Sequence, residues 1–316
     1  MDWRSKAFLQ TTLSHLPGSH ELNYLFRRYV TKTVPASQSV QTTDYSFAAQ
    51  HLSAFRACGS VPIEEALFYE FGVGWDLMIP LSLYSLGVNR QIVTDLRRLL
   101  KPSLIKLTTA AFSRLKLEPA PLRLPRLPSS SAGNGELDRA LQHHFGIDYR
   151  APFDARSTGL PSNSVDYVTA TKVLSFIPPS VLREILRECS RVLRPGGIMS
   201  VLIDYRDNYC HFDQSISVYN FLQYSDETWE RLYNSPLFYQ NRLRHCDYRQ
   251  LFSDDGLEIV RDEPGYDGTI EAARELLARV PLAERFRKYD PNDLAPVRGV
   301  FVLRKGLAER LAHRVA

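Results

Sequence analysis

The 316 residues carry 39 Lys and Arg against 35 Asp and Glu, a net charge of only +4, and 44% of them are apolar. That composition suits one large globular domain, or one and a half, with a sizeable core. It offers no basic tail of the kind that wraps nucleic acid, and no apolar run long enough for a membrane span. Cys58, Cys189, Cys210 and Cys246 form no C-x-x-C pair, and no His pattern completes a zinc site. They read as reduced thiols of a cytoplasmic protein, with no metal expected. Met1-Asp2-Trp3-Arg4-Ser5-Lys6 leads into Thr and Ser rather than an apolar h-region, so no signal peptide is expected.

In chain order, residues 1–60 read as a helical N-terminal cap. Leu22, Leu25, Phe26, Tyr29 and Val30 form one core-facing apolar stripe, and Ala48, Ala49, Leu52 and Phe55 form another. Pro35 and the Ser/Gln/Thr stretch 37–43 separate them. Residues 61–316 read as the α/β domain, with insertions at about 101–145, 205–248 and 264–296.

The sheet starts near Ala66. Ala66-Leu67-Phe68-Tyr69 runs into Glu70, Phe71, Gly72, Val73 and Gly74, and Leu77–Leu86 is helix-compatible. That order predicts a buried strand, a tight glycine turn and a helix start. The two glycines let the backbone approach a ligand, because no Cβ stands in the way. Asp95 and Leu96 close a second strand, Gln91–Thr94, and an acid at that tip can accept hydrogen bonds from ribose hydroxyls. A dinucleotide site wants G-x-G-x-x-G, so that a helix N-terminus takes the pyrophosphate. Here the third glycine position is Leu77, and Glu70 would repel a pyrophosphate. An adenosine-bearing, cationic cofactor is therefore expected.

The excursion from Asp95 to Asp154 is rich in Pro, Ser and Gly from Glu118 to Gly135, and reads as an exposed, mobile loop. Arg114, Lys116, Arg123 and Arg126 read as solvated surface, and His143-His144 as a surface pair on an amphipathic helix. Packed structure resumes at Phe145–Tyr149. Leu182, Ile185, Leu186, Cys189 and Leu193 recur at helical spacing; Pro195 should stop that helix, and Gly196-Gly197 should reverse the chain into a strand. The insertion from Asp204 to about Tyr248 is dense in aromatics. Two late strands, Leu257–Val260 and Val300–Leu303, flank a helical stretch, Ile270–Val280.

Three of these elements resemble class I S-adenosylmethionine-dependent methyltransferases. Glu70-x-Gly72-x-Gly74 is similar to the family's E-x-G-x-G-x-G, with Asp76 in place of the third glycine. Leu160-Pro161 through Asp166-Tyr167-Val168 is similar to its lead into the fourth strand. Arg191-x-Leu193-x-Pro195-Gly196-Gly197 is similar to its turn into the fifth. The insertion, from Asp204-Tyr205-Arg206-Asp207-Asn208-Tyr209 through Asn220-Phe221-Leu222 to Asn241-Arg242-Leu243-Arg244, also resembles a bacterial small-molecule and glycan subgroup of type 11-like methyltransferase domains. The resemblance implies a doubly wound, Rossmann-like, seven-stranded sheet with a late antiparallel strand, a helical cap closing over the cofactor, and S-adenosyl-L-methionine as that cofactor. It also implies that Asp154-Ala155 meets the adenine. Many relatives carry a histidine after the fourth strand, whereas Val173-Leu174-Ser175-Phe176-Ile177 has none.

Ligands of an open α/β sheet bind beyond the carboxyl ends of its strands. Glu70 to Gly74, Asp95, Leu96, Asp154, Ala155, Thr171 and Lys172 fall there and are the candidate cofactor-binding residues. The insertion and cap should shape the acceptor pocket, with Tyr205, Tyr209, Arg242 and Arg244 as candidate substrate-binding residues, since Arg forks suit carboxylates and phosphates. Methyl transfer to a hydroxyl usually needs a general base, for which an imidazole has the best intrinsic pKa. His211, Asp204 and Asp207 are the candidates, with Asp213 nearby. The expected activity is methyl transfer to a small-molecule or glycan acceptor, at oxygen. A cofactor-binding relative without catalysis and an RNA or protein methyltransferase are the alternatives; the balanced charge offers no basic groove for the latter.

Overall fold

The structure, a computed structural model, describes residues 2–128, 133–254 and 256–306. Residues 129–132 of the expected mobile loop and Asp255 lie outside the described residues, as do the last ten positions of the expected α/β domain. The chain opens with α1 (Trp3–Ser14), α2 (Ser19–Leu25), a π-helical turn (Phe26–Val30) and α3 (Gln38–Cys58). Then follow β1 (Leu67–Phe71), α4 (Met78–Ser85), β2 (Arg90–Thr94), α5 (Pro102–Ala111), α6 (Asn134–Phe145), β3 (Ile147–Arg150) and β4 (Val165–Thr171). After α7 (Pro179–Val192) and β5 (Leu193–Asp204) come α8 (Asp226–Leu232), α9 (His245–Asp254) and β6 (Leu257–Gly265). The chain closes with α10 (Ile270–Ala278), α11 (Glu284–Arg287), α12 (Pro291–Leu294) and β7 (Arg298–Lys305).

The seven strands form one sheet in the order β3-β2-β1-β4-β5-β7-β6. β1 to β5 pair in parallel, and β7 runs antiparallel to both β5 and β6. Strand alternation splits the core in two. Phe68, Val93, Tyr167 and Ile198 point to the face covered by α3, α4 and α6. Tyr69, Val168, Met199 and Val201 point to the face covered by α7 and α9. The doubly wound expectation is thereby met. α3, which the sequence grouped with the cap, packs its Ala48, Leu52 and Phe55 directly on the sheet, and the Phe55 ring meets Phe68 and Tyr167 at 5.2 and 4.7 Å.

Four local expectations change. The stripe Leu22, Leu25, Tyr29, Val30 faces solvent, and only Phe26 of it is buried. The π-helical turn from Phe26 shifts the phase of the side chains, so the α-helical period no longer tracks one face. The stretch 38–43, expected as a separator, is the start of α3, capped by the Ser37 hydroxyl. α7 ends at Val192, before Pro195; Leu193 already pairs with Val165, and the register shift before Tyr167 lies opposite Pro195-Gly196-Gly197. Arg123 is not free surface: it donates to the carbonyls of Tyr84 and Val88 at 2.8 and 2.7 Å and lies over the Tyr84 ring.

The aromatic insertion builds a third core. Tyr209, Tyr219, Phe221 and Trp229 bury one another against Trp3 of α1 and against α10, α11 and α12. This joins the N-terminal helix to the insertion and sets both above the carboxyl ends of β1, β2, β4 and β5.

Candidate functional site

The backbone leaves β1 through two left-handed glycines, Gly72 at φ +72° and Gly74 at φ +74°. Gly72 donates its N–H to the Thr94 carbonyl at 2.8 Å, and a Cβ there would meet Val173 Cγ2 at 2.3 Å. A Cβ on Gly74 would meet nothing within 4 Å. Gly74 donates its N–H to Asp95 Oδ2 at 3.0 Å, and Arg97 donates its own to Asp95 Oδ1 at 3.3 Å. Burial still raises the Asp95 pKa against these bonds. Asp76, in the third-glycine position, accepts the Met78 N–H at 3.2 Å. It thus caps the start of α4 and occupies with a carboxylate the helix end that a pyrophosphate would need.

Beneath this loop lies a buried polar chain. Glu70 Oε1 accepts from the Thr171 hydroxyl at 3.3 Å, and Oε2 has no partner among the described residues. Burial pushes the Glu70 pKa up to about 8, partly offset by the Thr171 bond. Thr171 Oγ1 also lies 3.0 Å from His51 Nε2, and His51 Nδ1 lies 2.8 Å from Ser200 Oγ. Burial pushes His51 down to about 3, so its ring is neutral. Sequence reasoning missed His51. The signal was its place three residues after Ala48 and four before Phe55, on the buried face of α3.

Above the loop a cavity of about 510 Å³ opens between three parts of the chain. Gly72, Gly74, Trp75, Asp95 and Leu96 form its floor, and Val173 and Phe176 one side. Lys6, Gln10, His20, Asn23, Phe26 and Arg27 of the cap cover it, and Asn208, His211, Leu237 and Phe238 of the insertion close the far end. His211 is half-exposed there, its Nε2 3.7 Å from Asp204 Oδ2. Asp204 is also held by Arg206 at 3.0 Å. Burial alone would raise the Asp204 carboxyl, but hydrogen bonds from His211 and Arg206 bring it down to about 2. A smaller cavity of about 240 Å³ on the other side of the loop holds Val73, Asp76, Thr171, Lys172 and Asp44. In it Lys172, at φ +56°, pairs with Asp44 at 2.5 Å.

The remaining candidates lie elsewhere. Phe71 is buried in the sheet core and Ala155 packs against that same core. Asp154 is not at the cavity: Arg156 holds its carboxylate at 2.7 Å and keeps its pKa low. Asp207, expected as a base, is fully buried; it accepts from Asn220 Nδ2 and from the Tyr209 N–H, both at 2.8 Å, and so fixes the turn Asn208–His211. Burial raises its pKa to about 6.

The structure places the expected substrate residues away from the cavity lining. Tyr205 bonds His245 Nδ1 at 3.0 Å and stacks on Tyr248, while Tyr209 is in the third core with its hydroxyl on the Tyr233 carbonyl at 2.8 Å. Arg242 donates to the carbonyls of Phe221 and Tyr224 and to Asp226. Arg244 is buried and donates to the carbonyls of Tyr205, Leu294 and Pro296 at 2.7, 2.6 and 2.6 Å. The terminal nitrogens of both arginines are thus spent within the fold, mostly on backbone carbonyls, while Arg244 Nε has no partner among the described residues. The aromatics shelter one another, and of the insertion's rings Phe238 is the one that lines the cavity.

Among curated proteins none matches this chain. Several solved structures are similar to it. The [4+2]-cyclase SpnF is 16% identical, with a TM-score of 0.47 over 84% of this chain and 81% of that one. A putative sarcosine dimethylglycine methyltransferase from Galdieria sulphuraria is 16% identical, with a TM-score of 0.44 over 84% and 85%. A geranyl diphosphate methyltransferase, solved with GPP and sinefungin, is 11% identical, with a TM-score of 0.44 over 82% and 77%. Residues 133–201 match the family described as "Methyltransferase domain". That segment runs from α6 through β3, β4 and α7 into β5, and of its strands β4 pairs with β1, which leads into the glycine loop. The match to a methyltransferase domain thus lies inside a seven-stranded, doubly wound sheet, and residues 133–201 are the part of the chain that is similar to that family.

Proposed function

We propose that this protein transfers a methyl group from S-adenosylmethionine to a hydroxyl of a small molecule or glycan held between the cap and the insertion. The observation that carries the reading is the cavity itself: it joins the glycine loop and Asp95 at one end to His211 at the other, with Asp204 behind that ring. The residues suit the cofactor. Gly74 leaves open space above the loop, and Asp95 keeps lone pairs beyond the two N–H groups it accepts. The exposed Leu96 offers an apolar surface beside it. When bound, S-adenosylmethionine supplies an electrophilic methyl on a sulfonium.

The chain's own residues then orient and deprotonate. Trp75, Phe176 and Phe238 exclude water around the transferring group, and orientation supplies much of the rate. His211 would take the acceptor's hydroxyl proton, with the electrophilic methyl supplied by the S-adenosylmethionine that the glycine loop and Asp95 would hold. The ionised Asp204 beside it stabilises the imidazolium that forms. Calorimetry tests the cofactor assignment: S-adenosylmethionine and S-adenosylhomocysteine should bind and NAD should not. Tight NAD binding with no response to either adenosyl ligand would overturn it. Isotope-labelled methyl transfer to hydroxyl acceptors, against their deoxy counterparts, tests the atom methylated.

A further inference from the structure

Lys6 is a charge at the cavity that the proposed reaction leaves unused. It lies on α1, only 9% exposed, and it lines the cavity. Among the described residues, the lysines with a carboxylate partner are Lys101 and Lys172, not Lys6. Its surroundings are aromatic instead: Nζ is 4.4 Å from the Phe212 ring centre, 5.2 Å from Phe238 and 6.0 Å from Tyr209. Ring faces attract a cation but do not neutralise it, and burying an ammonium without a counter-ion is unfavourable by several kcal/mol, on the order of the desolvation penalty.

A second cation reinforces the first. Arg27 of the π-helical turn lines the same cavity, and its Nε donates to the Thr33 hydroxyl at 3.3 Å. Asp76 acts on Arg27 through space without closing to an ion pair. Burial first, and then the charge of Arg27, push the Lys6 amine down to about 8. The two cations therefore repel across the cavity. Arg97 and His20 add no negative charge, and Asp95, the carboxylate at the cavity, already accepts two backbone N–H groups. An anion between Lys6 and Arg27 would supply the counter-ion and remove the repulsion together.

We propose that the methyl acceptor carries an oxyanion, a carboxylate or a phosphate, and that Lys6 with Arg27 binds it. This rests on reading the cavity as the acceptor site of a methyltransferase. Lys6 acts here by binding the acceptor's charge and so orienting the hydroxyl toward His211.

The full-length protein, saturated with S-adenosylhomocysteine, is titrated calorimetrically with sodium phosphate, with sodium benzoate and with neutral benzamide. At least one anion should bind saturably, and at least fivefold more tightly than to Lys6→Met. Lys6→Arg should restore binding to within about twofold, and benzamide should not distinguish the variants. The phosphate and benzoate arms separate a tetrahedral from a planar oxyanion. Should Lys6→Met fail to fold by circular dichroism, Lys6→Gln takes its place. Binding of neither anion by the wild type, or equal binding by wild type and Lys6→Met, overturns the inference. So does a tenfold loss of S-adenosylhomocysteine affinity in Lys6→Met, which would make the cofactor's carboxylate the partner. A wild-type protein that binds no S-adenosylhomocysteine fails the proposed function instead; cofactor binding without anion binding removes only this inference.

Discussion

The carboxylate of Asp95 accepts the backbone N–H of Gly74 at 3.0 Å, so the tip of β2 fixes the loop that leaves β1. One acid therefore has two tasks: it shapes the glycine loop, and it faces the cavity in which a ribose would lie. Asp95→Ala should weaken S-adenosylhomocysteine binding by about 2 kcal/mol, the scale of hydrogen bonds to a charged group. Asp95→Asn should lose less, because its amide oxygen still accepts the Gly74 N–H. Calorimetry on folded variants checks both, and an unchanged affinity in Asp95→Ala would remove it from the site.

The two loop glycines should differ in their tolerance of a methyl group. Gly72→Ala brings a Cβ within 2.3 Å of Val173 Cγ2 and forces a left-handed alanine, whereas Gly74→Ala meets open space and bears only the backbone strain. Left-handed strain is about 1–2 kcal/mol, and overpacking adds about 1–3 kcal/mol. Chemical denaturation should rank Gly72→Ala clearly below Gly74→Ala, and Val173→Ala should recover part of the difference. Equal losses at the two positions would mean that Val173 moves aside without strain.

Glu70 and His51 should shape stability against pH in opposite directions. Glu70 has its pKa raised in the fold from 4.5 to about 8, so between those values the folded state holds a proton that the unfolded state has lost. That stabilising contribution is full below pH 4.5 and lost as pH rises toward 8. His51 is depressed from 6.5 to about 3, so its contribution is full above pH 6.5 and lost as pH falls toward 3. Glu70→Gln should flatten the alkaline decline, and His51→Gln should flatten the acid one. Urea midpoints of the three proteins from pH 5 to 8.5 measure this; a wild-type slope retained in Glu70→Gln would show that Glu70 is ionised in the fold.

If His211 is the base, His211→Ala should lower turnover by about a hundredfold or more while S-adenosylhomocysteine affinity stays within about twofold. Asp204→Asn should reduce turnover too, since it removes the charge 3.7 Å from the ring. Near-normal single-turnover rates in His211→Ala would leave methyl transfer to proximity alone and leave that histidine structural.

Arg244→Met should destabilise the protein by about 3 kcal/mol or more, because three buried carbonyls lose their donor. A variant with wild-type urea midpoint and a raised acceptor KM would instead return Arg244 to the binding site.

The sequence alone determined the sheet and the loop chemistry. Leu67–Phe71, Gln91–Thr94 and Ile198–Asp204 are strands because their apolar runs are bounded by turn residues, and that signal is carried by near neighbours in the chain. Gly72, Gly74 and Asp95 were legible for the same reason: a left-handed turn and a strand-tip acid are written into a few adjacent residues. Only the tertiary structure decided which charges line the cavity and which are spent within the fold. Arg242 and Arg244 read as an anion site, but in the fold they are buried away from the cavity with their terminal nitrogens on carbonyls and Asp226, and Asp207 read as a base but caps a turn. Conversely, no sequence pattern singled out Lys6 or His51. Each was assigned by partners from 120 to 232 residues away or by burial between elements, such as His51 against Thr171 and Ser200 and Lys6 against Phe238. The role of a polar side chain depends on its desolvation and on the geometry of distant groups, and no local periodicity encodes either.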